Sequence, residues 1–490
     1  MKTNKMAVRL ISLLLLSAML VLSFAACGKE QKPGSGTTVT TAPTTEEYPF
    51  LFDKTDYNDE VTFLHFNNLR YQFFFSDTGA ADSTDLIESA LFERDALVEQ
   101  YLGVSVRSET VDDSNKILPA VETQIMSGIN SYDAVLTHSY LGVTGLVSEG
   151  LLADFGEMDE IDLEADWWNY EALETLSVKG KMYFALNDFM ISDPEAVFFN
   201  KEMLEAYQKE DPYELVRDGQ WTMENLIKIT ADVYVDDSGE NVGMRGKEDT
   251  YGFAAMADWP FLSLIDSCNV QWLTPAGSGY RALQMGDSNV RYSTLYDKIM
   301  ELANAESTYL WNYGKAYEND AVKITDNSAM FMFASLKEAY NFRGSEVRFG
   351  VLPYPKLDED QVEYRSFDWS GMLCVPKAVD NMTMVEQTLD CIAYFATDTI
   401  RPAYYEKLLG TRLAESPDDA EMISVYIYGN IVLNPVFNYI EKATSDLGVL
   451  AYTVAKALRA TLNQTQIYDI TYNWNSYRVP AQMQLDKFLN

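Results

Sequence analysis

Two histidines, His65 and His138, are all that 490 residues hold. That scarcity argues against most imidazole chemistry, because a histidine-built zinc site or a Ser–His–Asp triad needs several well-placed polar partners. Other chemical signatures are missing too. There is no HExxH, no GxSxG, no SxxK with its partner motifs, no GxGxxG after a strand and no phosphate-cradling P-loop. Beyond Cys27 the only cysteines are Cys268, Cys374 and Cys391. An odd, unpatterned set builds neither a disulfide framework nor a thiolate metal site. Cys374 falls in an apolar strand-like run and Cys391 on a helix, so buried free thiols are expected. Residues 236–240 (DDSGE) are acidic but lack the alternating ligand spacing and terminal bidentate Glu of a calcium loop. No catalytic residue, metal or cofactor is therefore expected. Positive charge is the last shortage: 37 Lys and Arg face 74 Asp and Glu, a formal charge of −37. Such a field repels nucleic acid and anionic lipid, which removes both as main partners. The carboxylate pair of a glycoside hydrolase stays open, but among so many acids no pair stands out.

What is present begins at the N-terminus. Lys2, Lys5 and Arg9 precede an apolar run at 10–22, shorter than the roughly 20 residues a spanning helix needs. Ser23-Phe24-Ala25-Ala26 then leads small residues up to Cys27, the pattern of an export signal. It resembles a bacterial lipoprotein signal, apart from Phe24 where an aliphatic residue is preferred. The resemblance implies a signal peptide at 1–26 and acylation of Cys27, with a plain secretory signal as the alternative. The lipidated cysteine and a flexible linker would fill 27–58. Its Gly/Ser/Thr/Pro-rich part, 28–47, has too little apolar content to fold and spans roughly 25 Å as a coil. Losing three cations with the signal takes the formal charge from −37 to −40. The expected location is the outer face of a bacterial cell membrane, lipid-anchored, with no other contact to the bilayer.

About 440 residues remain, enough for two lobes. Strand-like runs at 61–66, 104–107 and 132–138 alternate with helical stripes at 83–101 and 117–129. Gly103 stands where a left-handed C-cap is wanted. This order implies an α/β class with a mostly parallel sheet. Further strands are expected at 182–187, 196–200, 329–333, 347–352 and 371–376. Thr222 is placed to cap a helix running to about Val233, and the C-terminal third reads as helical. Eight tryptophans and 31 tyrosines supply faces that stack on sugar rings, while Asp, Asn and His groups can bond hydroxyls. Trp369 stands out, in a polar-aromatic stretch (FDWSG, 367–371) just before a buried strand.

Four passages in order carry a wider resemblance. They are GKMYFALN (180–187) followed by VFFNKEML (197–204), QWTMENL (220–226), NSAMFMF (327–333) with RFGVLPYP (348–355), and GMLCVPK (371–377). Together they resemble the extracellular solute-binding proteins of ABC transporters, the maltose-binding-protein-like group. The resemblance implies a two-lobed periplasmic-binding-protein-like fold of type II with three hinge crossings, near 186–196, 324–330 and 363–370. One lobe would comprise 59–188 plus 328–365, the other 189–327 plus 366–490. It implies ligand contacts at Asn67, His138, Tyr140, Asn187, Asp188, Trp259, Asp368 and Trp369. The implied function is a non-enzymatic monomer that closes on a solute, a carbohydrate and an oligosaccharide by class, and hands it to the permease subunits of an importer. A binding lipoprotein for a peptide, polyamine or other solute is the alternative, and a surface hydrolase the third.

Overall fold

The computed structural model describes residues 48–489 apart from 67–73, 76–84, 139–142, 238–247, 272, 277–279, 284–289, 313–323, 343–344, 370, 410–415, 435–449, 451 and 463–469. Contacts knit Phe50–Asn490 into one unit, and two main sheets lie inside it. The chain first lays down β1 (Asp59–Phe66), helix α1 (Leu86–Leu102), β2 (Val104–Val111), helix α2 (Ile117–Ser127) and β3 (Ala134–His138). β1 sits between β2 and β3 and is parallel to both, with Val61 opposite Val106 and Leu64 opposite Val135. Asp85 starts α1 by accepting from the amides of Ile87 and Glu88. Gly103 ends it at φ 63°, donating to Glu99 O. A Cβ there would stand 2.2 Å from Asp56 Oδ1, so both backbone and space demand glycine. The buried face of α1 is Ile87, Ala90, Leu91, Arg94, Val98 and Leu102. Leu86, inside the helical stripe expected at 83–101, is exposed, and the charged Arg94 is buried.

The second sheet follows: β4 (Glu195–Asn200), helix α3 (Met223–Thr230), β5 (Thr250–Met256), helix α4 (Trp259–Ser267), β6 (Thr308–Trp311), β7 (Ala329–Ser335) and β8 (Phe349–Leu352). The order is β8-β4-β7-β5, with β6 also paired to β5 and the two-residue strand Tyr234–Val235 antiparallel to β5. Phe331 of β7 lies opposite Phe199 of β4 and Phe253 of β5, and Trp221 packs on its ring at 5.8 Å. Thr222 does cap α3, accepting from Asn225 N. The helix stops at Thr230, short of Val233. The chain then returns to the first sheet, where β9 (Gly371–Cys374) runs antiparallel to β3. Helix α5 (Met382–Asp398) and helix α6 (Ile400–Leu409) pack on α1.

Two expectations need correction. The strands 329–335 and 349–352 belong to the second sheet and β9 to the first. So 328–365, expected in the first lobe, sits with the second sheet, and the 371–398 part of the 366–490 expected in the second lobe sits with the first. Accordingly no crossing occurs at 324–330. Among the described residues the passages between halves lie at 186–194 and 366–371; helix α6 still packs on the first half, whereas Asp419 is held by Tyr213 and Lys201 of the second. A continuous apolar strand suits either sheet, and only the ladder partners decide. Residues 182–187 form no ladder strand either. Single bridges, Ala185 to Leu373 and Trp168 to Asn187, hold them instead. Cys268, Cys374 and Cys391 are buried free thiols, and burial pushes all three well up from the ordinary thiol range. Among the described residues no helix is long and apolar enough to cross a membrane. Cys27 and the whole of 1–47 lie outside them.

Candidate functional site

The first crossing is tied at both ends. Asp188 Oδ2 accepts from Thr397 Oγ1 at 2.7 Å and from the Arg401 guanidinium at 2.6 Å, both in the first half. Phe189 packs on Phe63, Phe74 and Phe75. The fully buried Arg94 lies 5.0 Å from its ring centroid and donates to Phe74 O. At the far end Tyr428 OH donates to Ser192 O. The Asp193 amide donates to Asp368 Oδ1, Pro194 bridges Asp368, and Asp193 Oδ1 accepts from Lys337 N. Anchors on 187–189 thus face the first half and anchors on 192–194 the second. Met190 and Ile191 are the links between.

Beyond the crossing, the carboxyl ends of β5 and β6 converge where Ala257 N donates to Trp311 O. Directly after come Asp258 and Trp259 at the start of α4. Trp259 is half-buried and meets Trp369 and Tyr452 edge-on, each at 5.2 Å between centroids. Trp369 is only 2% exposed and its Nε1 donates to Ser263 Oγ at 3.0 Å, so here its ring buttresses Trp259. Asp258 is 1% exposed; Arg459, on helix α7 (Thr453–Leu462), pairs with its Oδ2, and Oδ1 has no partner. Two turns along α4 Asp266 is buried and pushed up to about 7 by loss of solvent, against the lowering bond from Asn434 and the charge of Arg365. The result is an aromatic corner with a carboxylate–guanidinium pair beside it, suited to a ring with one apolar face and hydroxyls at its edge.

A cavity of about 350 Å³ adjoins the first crossing, lined by Trp168, Tyr170, Asn187, Asp188, Arg401 and Tyr428 among others. Behind it Asp390 of α5 accepts from the indoles of Trp167 and Trp168 at 2.6 and 2.7 Å. Burial raises this carboxyl to about 6, the two indole bonds working the other way.

The residues expected to bind ligand therefore separate. Trp259 and Trp369 meet in the aromatic corner. Asn187 and Asp188 line the cavity, while Asp368 is fully buried and clasps the crossing. His138 ends β3 opposite Gly371, two residues from Trp369 in the chain. Asn67 and Tyr140 fall outside the described residues. Sequence reasoning missed Asp258, Tyr452, Arg459, Arg401 and Tyr428. The adjacency of Asp258 to Trp259 was a usable signal; the others lie far along the chain and carry none. Among the described residues no group of His, Cys, Asp or Glu could hold a metal ion.

No protein-family model and no curated protein matches the chain. Solved structures do. The GacH receptor of Streptomyces glaucescens, known unliganded and with acarbose, aligns with a TM-score of 0.56 at 15% identity, over 86% of this chain and 98% of that one. An ABC substrate-binding protein of Listeria monocytogenes in complex with cycloalternan gives 0.55 at 14% identity, over 89% and 100%. The maltodextrin-binding MalE domain of Bdellovibrio bacteriovorus bound to maltotriose gives 0.53 at 13%, over 87% and 100%. At such identities the likeness speaks for architecture, and with two sheets joined by repeated crossings it leads to one conclusion: the chain has the two-lobed α/β fold of the maltose-binding-protein-like solute-binding proteins.

Proposed function

We propose that the chain is a lipid-anchored extracellular binding protein that captures a carbohydrate, an oligosaccharide by class, and presents it to the permease of an ABC importer. The observation that carries the reading is the aromatic corner of Trp259, Trp369 and Tyr452 beside the Asp258–Arg459 pair. A fold alone does not assign a ligand, whereas this corner offers what a sugar needs. Trp259 supplies a stacking face, Asp258 Oδ1 an acceptor that seeks a hydroxyl donor, and Arg459 a donor.

Capture follows from the crossing. Because 187–189 are anchored in one half and 192–194 in the other, rotation about Met190 and Ile191 moves the halves with little loss of contact at either end. A solute that touches both halves favours the closed arrangement by its differential affinity and by nothing else. Solved structures similar to this chain bear the names of acarbose, cycloalternan and maltotriose complexes, which supports a sugar. Acylation of Cys27 and the tract that follows would hold the body at the membrane, where the permease is.

Calorimetric titration with a panel of linear and cyclic oligosaccharides tests the reading. At least one should bind, and Trp259→Ala should weaken it tenfold or more, about 1.4 kcal/mol. A panel without a binder, or a binder indifferent to Trp259→Ala, would overturn it.

A further inference from the structure

The cavity at the first crossing is separate from the aromatic corner. Ala185 bridges Leu373 of β9 and Asn187 bridges Trp168, so the segment around Trp168 is the outer margin of the first sheet, beyond β9. β3 and β1 lie on the other side of β9. None of Trp259, Trp369 and Tyr452 lines the cavity. Its volume of about 350 Å³ is at the small end of the range for ligand pockets. It is also built from both halves: Asn187, Asp188 and Arg401 on one side, Tyr428 and Ile431 on the other.

The chemistry of its occupant can be read from one amide. Asn187 is 6% exposed. Its Oδ1 accepts from Phe189 N at 3.1 Å, which fixes the orientation of the side chain, while Nδ2 has no hydrogen-bond partner. A buried donor left unmade is costly, so the position asks for an acceptor oxygen. The lining holds two carboxylates, Asp166 and Asp188, and one guanidinium, Arg401, already paired with Asp188, and that balance disfavours an anion. A neutral hydroxyl or carbonyl oxygen remains, framed by Tyr170, Tyr404 and Tyr428.

We infer that this cavity is a second binding site, for a small neutral polyol or a single sugar ring, and that its occupancy biases the hinge. The occupant would touch Asn187, whose neighbours Asp188 and Phe189 are tied to the first half. It would also touch Tyr428, which holds Ser192 on the second-half side of Met190 and Ile191. Bending at those two residues changes the gap it bridges. Occupancy therefore shifts the affinity of the main site, and the main ligand shifts the affinity here by the same factor. Only this coupling rests on the proposed hinge closure; the binding itself does not.

The test uses the full chain and myo-inositol as the probe, by calorimetry or ligand-observed magnetic resonance in the millimolar range. Asn187→Asp keeps the oxygen that accepts from Phe189 N and replaces the unpartnered donor with an acceptor. It should weaken myo-inositol at least tenfold, whereas Trp259→Ala should leave it within twofold. Comparable circular dichroism and thermal unfolding of each variant show that the fold is kept. No binding to the unaltered chain, or equal binding to Asn187→Asp, would overturn the inference, as would loss in Trp259→Ala. Oligosaccharide binding that survives while myo-inositol fails rejects this site alone. The converse rejects the sugar-capture proposal alone.

Discussion

Asp266 and Asp390 show what single buried carboxylates do to this fold. Each accepts hydrogen bonds on Oδ1 and leaves Oδ2 without a partner, and burial raises them to about 7 and about 6. Their folded pKa lies above the unfolded one near 4, so the folded protein keeps protons that the unfolded chain releases. Stability from these groups is complete below about pH 4 and declines as pH climbs to about 7. Asp266→Asn retains an acceptor for Asn434 and cannot ionise. Relative to the unaltered chain it should gain on the order of 3 kcal/mol between pH 4 and pH 7.5, measured by denaturant unfolding at both pH values. A constant difference across that range would show that Asp266 titrates normally. Nothing in the sequence separates these two acids from the other 72. Their burial is set by α4 and α5, whose polar positions face inward against segments far away in the chain.

At the scale of elements the sequence was legible wherever a local rule decides. Gly103 and Thr222 were placed correctly because capping depends on a few neighbouring residues. Gly103→Ala should cost more than 1 kcal/mol, since it adds a left-handed φ penalty to a collision with Asp56. An urea midpoint that does not move would mean the cap relaxes freely. Where pairing partners decide, local rules failed. The strands 329–335 and 349–352 are uniformly buried up to the half-exposed end of the first, so no alternation marks which sheet they enter. The 182–187 run had strand composition, yet single bridges to Trp168 and Leu373 turn it into the lead of a crossing. Trp369 was singled out as a ligand contact, and its neighbourhood is right, but Ser263 and Phe367 enclose it. Exposure depends on what packs against a ring, which composition does not record.

For the whole molecule, the two-sheet α/β design was readable from segment order and four motifs, while one crossing, expected near 324–330, was misplaced. The anchors on either side of Met190 and Ile191 give the design its mechanical content: two bodies that keep their own contacts and change their mutual angle. That claim is tested most directly by small-angle X-ray scattering of the chain with and without a bound oligosaccharide from the panel. A smaller radius of gyration on saturation, absent in Trp259→Ala at the same ligand concentration, is the expected result. A radius unchanged to within error, in a sample where calorimetry shows the sugar bound, would contradict closure about the first crossing.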